Sequence, residues 1–229
     1  MTWLPPVPTA FLARRADDTR DSALPREALS IAGTRLEPMG IAEIFGLRLA
    51  AEGPAAAGLY RSIVEAAREP SFFASLGVPD TLDGRFETLA LHTFLVLRRL
   101  KSDASDPAIR LSRALLEAFI ADMDHSLREM GAADLGVARR VKAMAEALYG
   151  RIKAYGMALE EAGDGALEAA LRRNLYGTLK MPRLADLATI ARYVRRQHAA
   201  LAVQPLSGLR AGRVEFVPLA EALGGEGTT

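Results

Sequence analysis

The sequence predicts an all-α protein, a single-domain bundle of about six helices with an irregular N-terminal leader and a loose C-terminal tail. Three observations point there. Apolar residues recur at helical spacing through most of residues 53–203. The runs are broken by glycine, proline and aspartate at places that start or stop helices, with no alternating strand pattern and no internal repeat between them. Half of the chain (50% of 229 residues) is hydrophobic, which is ample for a sizeable core.

Residues 1–52 mix prolines, scattered charges and short apolar bits without sustained period, so this leader is expected to be irregular or ordered only by docking. A short helix over residues 41–51 is its one candidate element, and Met39-Gly40 is a candidate alternative start of translation. The first helix opens at Gly53-Pro54, where proline suits a first turn, and puts Leu59, Tyr60, Ile63, Val64 and Ala67 on one face before Pro70 stops it. Residues 71–76 form a short helical turn with Phe72 and Phe73, after which Gly77-Val78-Pro79 forces a bend. Asp80 or Thr81 caps the second long helix and Asp83 favours its positive end. That helix runs to about Lys101 with an almost continuous apolar surface, which makes it the central, most buried element.

Asp106-Pro107 reads as cap and first helical residue of a third helix, whose stripe from Leu111 to Met130 ends at Gly131 in the position of a left-handed cap. Asp134 caps a fourth helix that keeps helical period to about Glu161, and Gly150 and Gly156 within it mark a bend or a close helix contact. A shorter fifth helix follows Gly163-Asp164-Gly165, carries Leu167, Leu171, Leu175 and Tyr176, and ends near Met181-Pro182. The sixth spans residues 182–202. In the extension, residues 204–229, Arg213-Val214-Glu215-Phe216-Val217 reads as a short extended piece packed on the bundle, and residues 224–229 are expected to be mobile.

Composition narrows the function classes. The 29 Lys plus Arg against 28 Asp plus Glu leave a net charge of +1, no long-range field for DNA, so nucleic acid would need a local patch. The absence of cysteine removes disulfides, thiolate metal sites, iron-sulfur clusters and cysteine nucleophiles, and fits a reducing, cytoplasmic setting. The longest apolar run, residues 88–97, is about half the roughly 20 residues of a membrane span, and the N-terminus lacks the layout of a secretory signal. Paired cations at Arg98-Arg99, Arg139-Arg140, Arg172-Arg173 and Arg195-Arg196 are ordinary solvated faces unless several converge, in which case they suit anionic lipid headgroups or ribosomal RNA.

Asp122 and His125 share a helical face and resemble half of a carboxylate-bridged di-iron site. The second Glu-x-x-His of such a site is missing, and a solvated Asp124 paired with Arg128 at i, i+4 is the simpler reading. Asp80, Asp83 and Gly84 lack the alternating ligands and terminal glutamate of a calcium loop, so capping accounts for them. His92, among Leu91, Phe94 and Leu95, reads as a hydrogen-bonded core histidine before it reads as a haem ligand. No nucleophile elbow, phosphate-binding glycine loop or zinc-protease signature is present. A metal- or haem-binding helical enzyme around His92 and His125, and a generic protein-interaction bundle, stand as alternatives to the reading that follows.

Four ordered blocks carry a resemblance. They are Leu59-Tyr60 and Ile63-Val64 with Gly77-Val78-Pro79-Asp80-Thr81, Asp83-Gly84-Arg85-Phe86-Glu87, Leu91-His92 and Phe94-Leu95-Val96-Leu97; then Asp122-Met123-Asp124, Leu127-Arg128-Glu129-Met130-Gly131 and Asp134-Leu135; then Tyr149-Gly150-Arg151; then Arg173-Asn174 with Tyr176. Across about residues 55–200 the chain resembles the ubiquinol-cytochrome c chaperone family. Two departures from the family pattern are His125 in place of a basic residue and Leu148 in place of an aromatic one.

The resemblance implies a non-catalytic assembly factor for respiratory complex III, with no cofactor. Its expected partners are newly made cytochrome b, the ribosome and an anionic membrane surface, and its expected place is cytoplasmic, peripheral on the inner membrane. Holding an apolar client asks for a groove with an apolar lining and a polar rim. The candidate partner-binding residues are Asp80, Asp83, Arg85, Phe86, Glu87, His92, Asp122, Asp124, Arg128, Glu129, Tyr149 and Arg151. Glu129 sits at a helix C-terminus, where the dipole disfavours its charge, so Arg85, Arg151 or a partner is expected to compensate it. A single groove further requires Arg85 and Glu87 to pair with residues 122–129 across neighbouring helices.

Overall fold

A computed structural model describes residues 30–31, 34–35, 52–103, 105–131 and 134–223. The leader, its helix expected over 41–51, the cap expected from the Asp134 side chain and the expected mobility of 224–229 lie outside the described residues. Before residue 52 they comprise one antiparallel pair of two-residue strands, β1 (Ser30–Ile31) and β2 (Thr34–Arg35). Everything after it is built on helices: α1 (Gly53–Ala67), α2 (Ser71–Ala74), α3 (Leu82–Lys101), α4 (Asp106–Glu129), α5 (Asp134–Glu160), α6 (Gly165–Arg173), α7 (Leu184–Val203), α8 (Leu206–Arg210) and α9 (Leu219–Leu223). The expected all-α bundle is what the structure shows, its six longer helices, α1 and α3 to α7, completed by three short ones.

The middle of the bundle is α3. From Phe86 to Leu97 every residue is buried, on all sides of the helix. With no face for water, α3 has to be covered all round, and α1, α4, α5 and α7 each pack against it. Around it α1 also packs on α4, α4 on α5, α5 on α6 and α6 on α7, so the outer helices follow one another in a continuous wall. The resulting core is one cluster running from Ala56 to Leu219.

How α3 begins fixes where the wall sits. Thr81 is extended (φ −126°, ψ 169°) and its hydroxyl accepts from the Gly84 amide at 3.2 Å, while Asp83 occupies the first turn. Of the two expected caps it is Thr81 that caps, and Asp80 turns instead to Arg85. The chain doubles back so tightly that a Cβ on Gly84 would overlap the Pro79 carbonyl oxygen. At the end of α4, Gly131 adopts the left-handed conformation expected of it (φ 77°).

Two boundaries and one pair of glycines differ from the sequence reading. Ser105, not Asp106, is the extended residue before α4 (φ −75°, ψ 148°); Asp106 lies in the first turn, where its charge favours the dipole without capping. Helix α6 stops at Arg173, because the chain turns so sharply there that a Cβ on Gly177 would overlap the Arg173 carbonyl, and Leu175 and Tyr176 reach the core from that turn. Gly150 has open space around it and Gly156 only ordinary contacts, at 3.9 Å, with Arg98 and Phe94, so neither marks a close helix crossing.

The 213–217 piece is extended and packed on α7, as its pattern suggested. Gln204 exchanges two hydrogen bonds with the Glu215 backbone, Nε2 donating at 2.6 Å and Oε1 accepting at 3.1 Å. Gln197, two turns earlier on the same face, makes the same pair with Val217 at 2.6 and 3.1 Å. Between them Phe216 sets its ring edge-on to His92, centroids 5.2 Å apart.

Gly84→Ala is expected to cost about 1–3 kcal/mol through forced movement of the turn into α3, whereas Gly150→Ala is expected to stabilise by about 0.5–1 kcal/mol. Urea unfolding of the two variants measures both.

Candidate functional site

The expected site residues separate into three groups. The first surrounds a buried ion pair between α3 and α5. Arg151 donates from Nε to both Glu87 oxygens, at 3.1 and 3.0 Å, and from Nη2 to Oε1, with side-chain exposures of 15% for Arg151 and 5% for Glu87. Burial alone would lower the Arg151 pKa, but the hydrogen bonds and charge of Glu87 more than offset it and hold the guanidinium above its usual value. The cation also lies 6.0 Å from the centre of the Phe86 ring. Nearby Tyr155 is fully buried, and burial first and the Glu87 charge second push its hydroxyl well up. Phe86 and Glu87 face inward from α3 and pack within the bundle.

The second group lies on α4. Tyr60 of α1 donates to Asp122 at 2.7 Å, and burial, reinforced by that carboxylate, holds the Tyr60 proton on far above the usual range. Asp124 and Arg128 form the expected i, i+4 pair, bidentate at 2.7 and 3.3 Å. Glu129 meets His125, again at i, i+4, at 3.2 Å. Its contact is thus with a neighbour on its own helix, while Arg151, one of the arginines expected to compensate it, pairs with Glu87. Asp122 and His125 thus turn to different partners, and no group of three or more acidic or histidine side chains among the described residues is placed to hold a metal ion.

The third group is sealed. His92 has no exposed surface; its Nδ1 lies 2.7 Å from the Thr88 carbonyl and its Nε2 2.8 Å from the Tyr193 hydroxyl. With Nδ1–H donating and Nε2 accepting, both ring nitrogens are used by a neutral imidazole. Burial pushes its pKa down from 6.5 to about 4. Phe72, Tyr193 and Phe216 ring it at centroid distances of 5.5, 5.9 and 5.2 Å. His92, expected among the partner-binding residues, is thus enclosed within the bundle.

Glu87 pairs with α5, not with residues 122–129, so the requirement set for a single groove is not met through it. What joins the first two groups is Phe119 of α4, edge-on to Phe86 at 6.0 Å and to Tyr60 at 6.3 Å. At the surface remain Asp80 with Arg85 at 2.6 Å, Asp124 with Arg128, and Glu129 with His125. The Arg85 hydrogen bond lowers the Asp80 pKa. Tyr149, on α5 two residues before Arg151, is half-buried, and burial raises its hydroxyl.

Tyr193, Gln197 of α7 and Gln204 just after it escaped the sequence reading, and Phe119 was read only as part of the apolar stripe of α4. Their only signal was helical spacing, Gln197 and Gln204 being seven residues apart on one face.

A family model described as Ubiquinol-cytochrome C chaperone matches residues 74–216. The chain belongs to this family. It is similar to the ubiquinol-cytochrome-c reductase complex assembly factor 1 of Xenopus laevis, 29% identical over 171 residues, which make up 73% of this chain and 82% of the frog protein. It is also similar to the crystal structure of the Cbp3 homolog from Brucella abortus, with 35% identity and a TM-score of 0.66 over 80% of this chain and 99% of that one. The family match opens just before the Gly77-Val78-Pro79 bend and closes at Phe216, so it takes in all three groups except Tyr60 and Phe72.

Because Glu87 and Arg151 compensate each other in the interior, Glu87→Ala or Arg151→Ala alone is expected to cost about 3–5 kcal/mol, and replacing both by apolar residues of similar volume to recover most of it. Thermal and urea unfolding of the three variants tests this. Between pH 6.5 and about 4 the unfolded chain takes up a proton that folded His92 refuses, so stability falls as pH drops through that window, by at most about 1.4 kcal/mol per pH unit. His198, also held low by burial first and Arg98 second, adds to the same trend. Unfolding free energies of wild type and His92→Gln across this range should show a shallower slope in the variant.

Proposed function

We propose that this protein is a non-catalytic assembly chaperone of respiratory complex III (ubiquinol-cytochrome c reductase) and that its client is newly made cytochrome b. The observation that carries the reading is the family match over residues 74–216, together with likeness to a protein whose name states assembly of that complex. In this reading the chain works at the cytoplasmic face of the inner membrane, near the ribosome, and holds the apolar client until partner subunits arrive. No helix among the described residues is long and apolar enough to cross a membrane, so the contact with a bilayer is peripheral in this proposal.

The client-facing rim is assigned to the polar residues left at the surface: Asp80, Asp83 and Arg85 at the start of α3, and Asp124, Arg128 and Glu129 near the end of α4. Exposed pairs of this kind are worth about 0–1 kcal/mol each, so they exchange partners readily. A chaperone that must later release its client gains from contacts that are cheap to swap. The metal or haem alternative is not favoured, since both nitrogens of His92 are already bonded and His125 pairs with Glu129.

A deletion strain is expected to lose most of its cytochrome b and complex III activity, with restoration by the wild-type chain. Normal levels of both in the deletion strain would overturn the client assignment, and iron or haem retained stoichiometrically through dialysis would overturn the non-catalytic reading. Photo-crosslinkers placed at residues 85 and 128 are expected to capture nascent cytochrome b.

A further inference from the structure

The loop between α6 and α7 keeps large apolar side chains in water. Met181 is 89% exposed and Leu184 79%, with Leu179 at 40% beside them. They do not fold back, because the loop is bracketed at both ends. The Tyr176 hydroxyl donates to the Leu76 carbonyl at 2.7 Å. Arg183 donates from Nε to Asp186 at 2.7 Å and from Nη2 to the Ser75 carbonyl at 3.1 Å. Pro182 stiffens the tip further. The apolar side chains are interleaved with charge of one sign: residues 172–185 contain Arg172, Arg173, Lys180 and Arg183 and no carboxylate. The first acid after them, Asp186, is buried and spoken for by Arg183.

We propose that residues 178–185 form a tip that inserts Met181 and Leu184 into an anionic lipid bilayer, with Lys180, Arg172 and Arg173 at the level of the phosphates. Projection and charge favour a bilayer over a protein. Two neighbouring side chains this exposed make a knob, whereas an apolar client helix needs a groove, and a knob offers far less than the roughly 800 Å² that each side of a stable protein interface buries. A lipid surface accepts a small convex apolar tip, and the flanking cations add attraction to anionic headgroups. The inference deepens the proposed function by locating its membrane contact. It rests on that reading for its purpose, and its test needs no client.

Full-length protein is co-sedimented with vesicles of phosphatidylcholine alone or mixed with phosphatidylglycerol. Wild type is expected to partition onto the anionic vesicles, more weakly at high salt. Met181→Ser/Leu184→Ser is expected to bind about tenfold more weakly, and Lys180→Glu more weakly too. Val203→Ser, at a residue 83% exposed elsewhere, leaves binding unchanged. Circular dichroism and melting should match wild type in all of them, since every altered side chain is exposed. Leu184→Trp, in a chain whose single tryptophan is removed by Trp3→Phe, is expected to shift its emission to the blue on anionic vesicles. Absence of wild-type binding, unchanged binding of the double variant, or an unshifted tryptophan would each overturn the tip. So would loss of binding only to detergent-solubilised cytochrome b, which would assign the loop to the client. None of these outcomes touches the chaperone reading, which stands or falls with the deletion strain.

Discussion

From Phe86 to Leu97 helix α3 has no surface to give to water, and the four polar side chains it nevertheless buries there constrain how the rest of the bundle is arranged. Thr88 and Thr93 satisfy their hydroxyls within the helix, on the Arg85 and Leu89 carbonyls. Glu87 and His92 cannot do so alone. A buried carboxylate without a counter-charge costs several kcal/mol, and a buried imidazole with an idle nitrogen somewhat less. Arg151 of α5 answers the first and Tyr193 of α7 the second. Apolar packing presses α5 and α7 against α3 but has no single required partner for each side chain. These two polar contacts, on helices that flank α3, fix their positions along it.

Much of this was legible because it depends on neighbours in sequence. The even spread of Leu89, Leu91, Phe94, Leu95 and Leu97 around a helix identifies α3 as central, and the sequence narrows its cap to Asp80 or Thr81, of which Thr81 takes the role. What depends on distant residues was not legible. Glu87 and Arg151 are 64 positions apart, and each alone reads as an ordinary surface charge. The rim suffered the same way: Arg85, Arg151 or a partner was expected beside Glu129, and the contact found is with His125, one turn back. Conversely, Gly150 looked like a contact point on propensity alone, and the space around it is open.

The division between sealed and exposed polar groups bears on the proposed client. The groups that hold the bundle together, Glu87 with Arg151 and His92 with Tyr193, are withdrawn from solvent. Those offered to a partner are pairs between residues close in sequence. Breaking such a pair disturbs one turn of one helix. The surface can therefore rearrange around a client while the bundle beneath it stays rigid.

The extended segment on α7 also sets a timing. Gln197 and Gln204 wait for the backbone of residues 215 and 217, and His92 waits for Phe216 to close its ring edge. On a ribosome making the chain from its N-terminus, α3 emerges more than a hundred residues before the side chain that completes its surroundings. The nascent bundle thus keeps one flank of its central helix open through most of synthesis, and reaches its finished core only when Leu219 has left the exit tunnel.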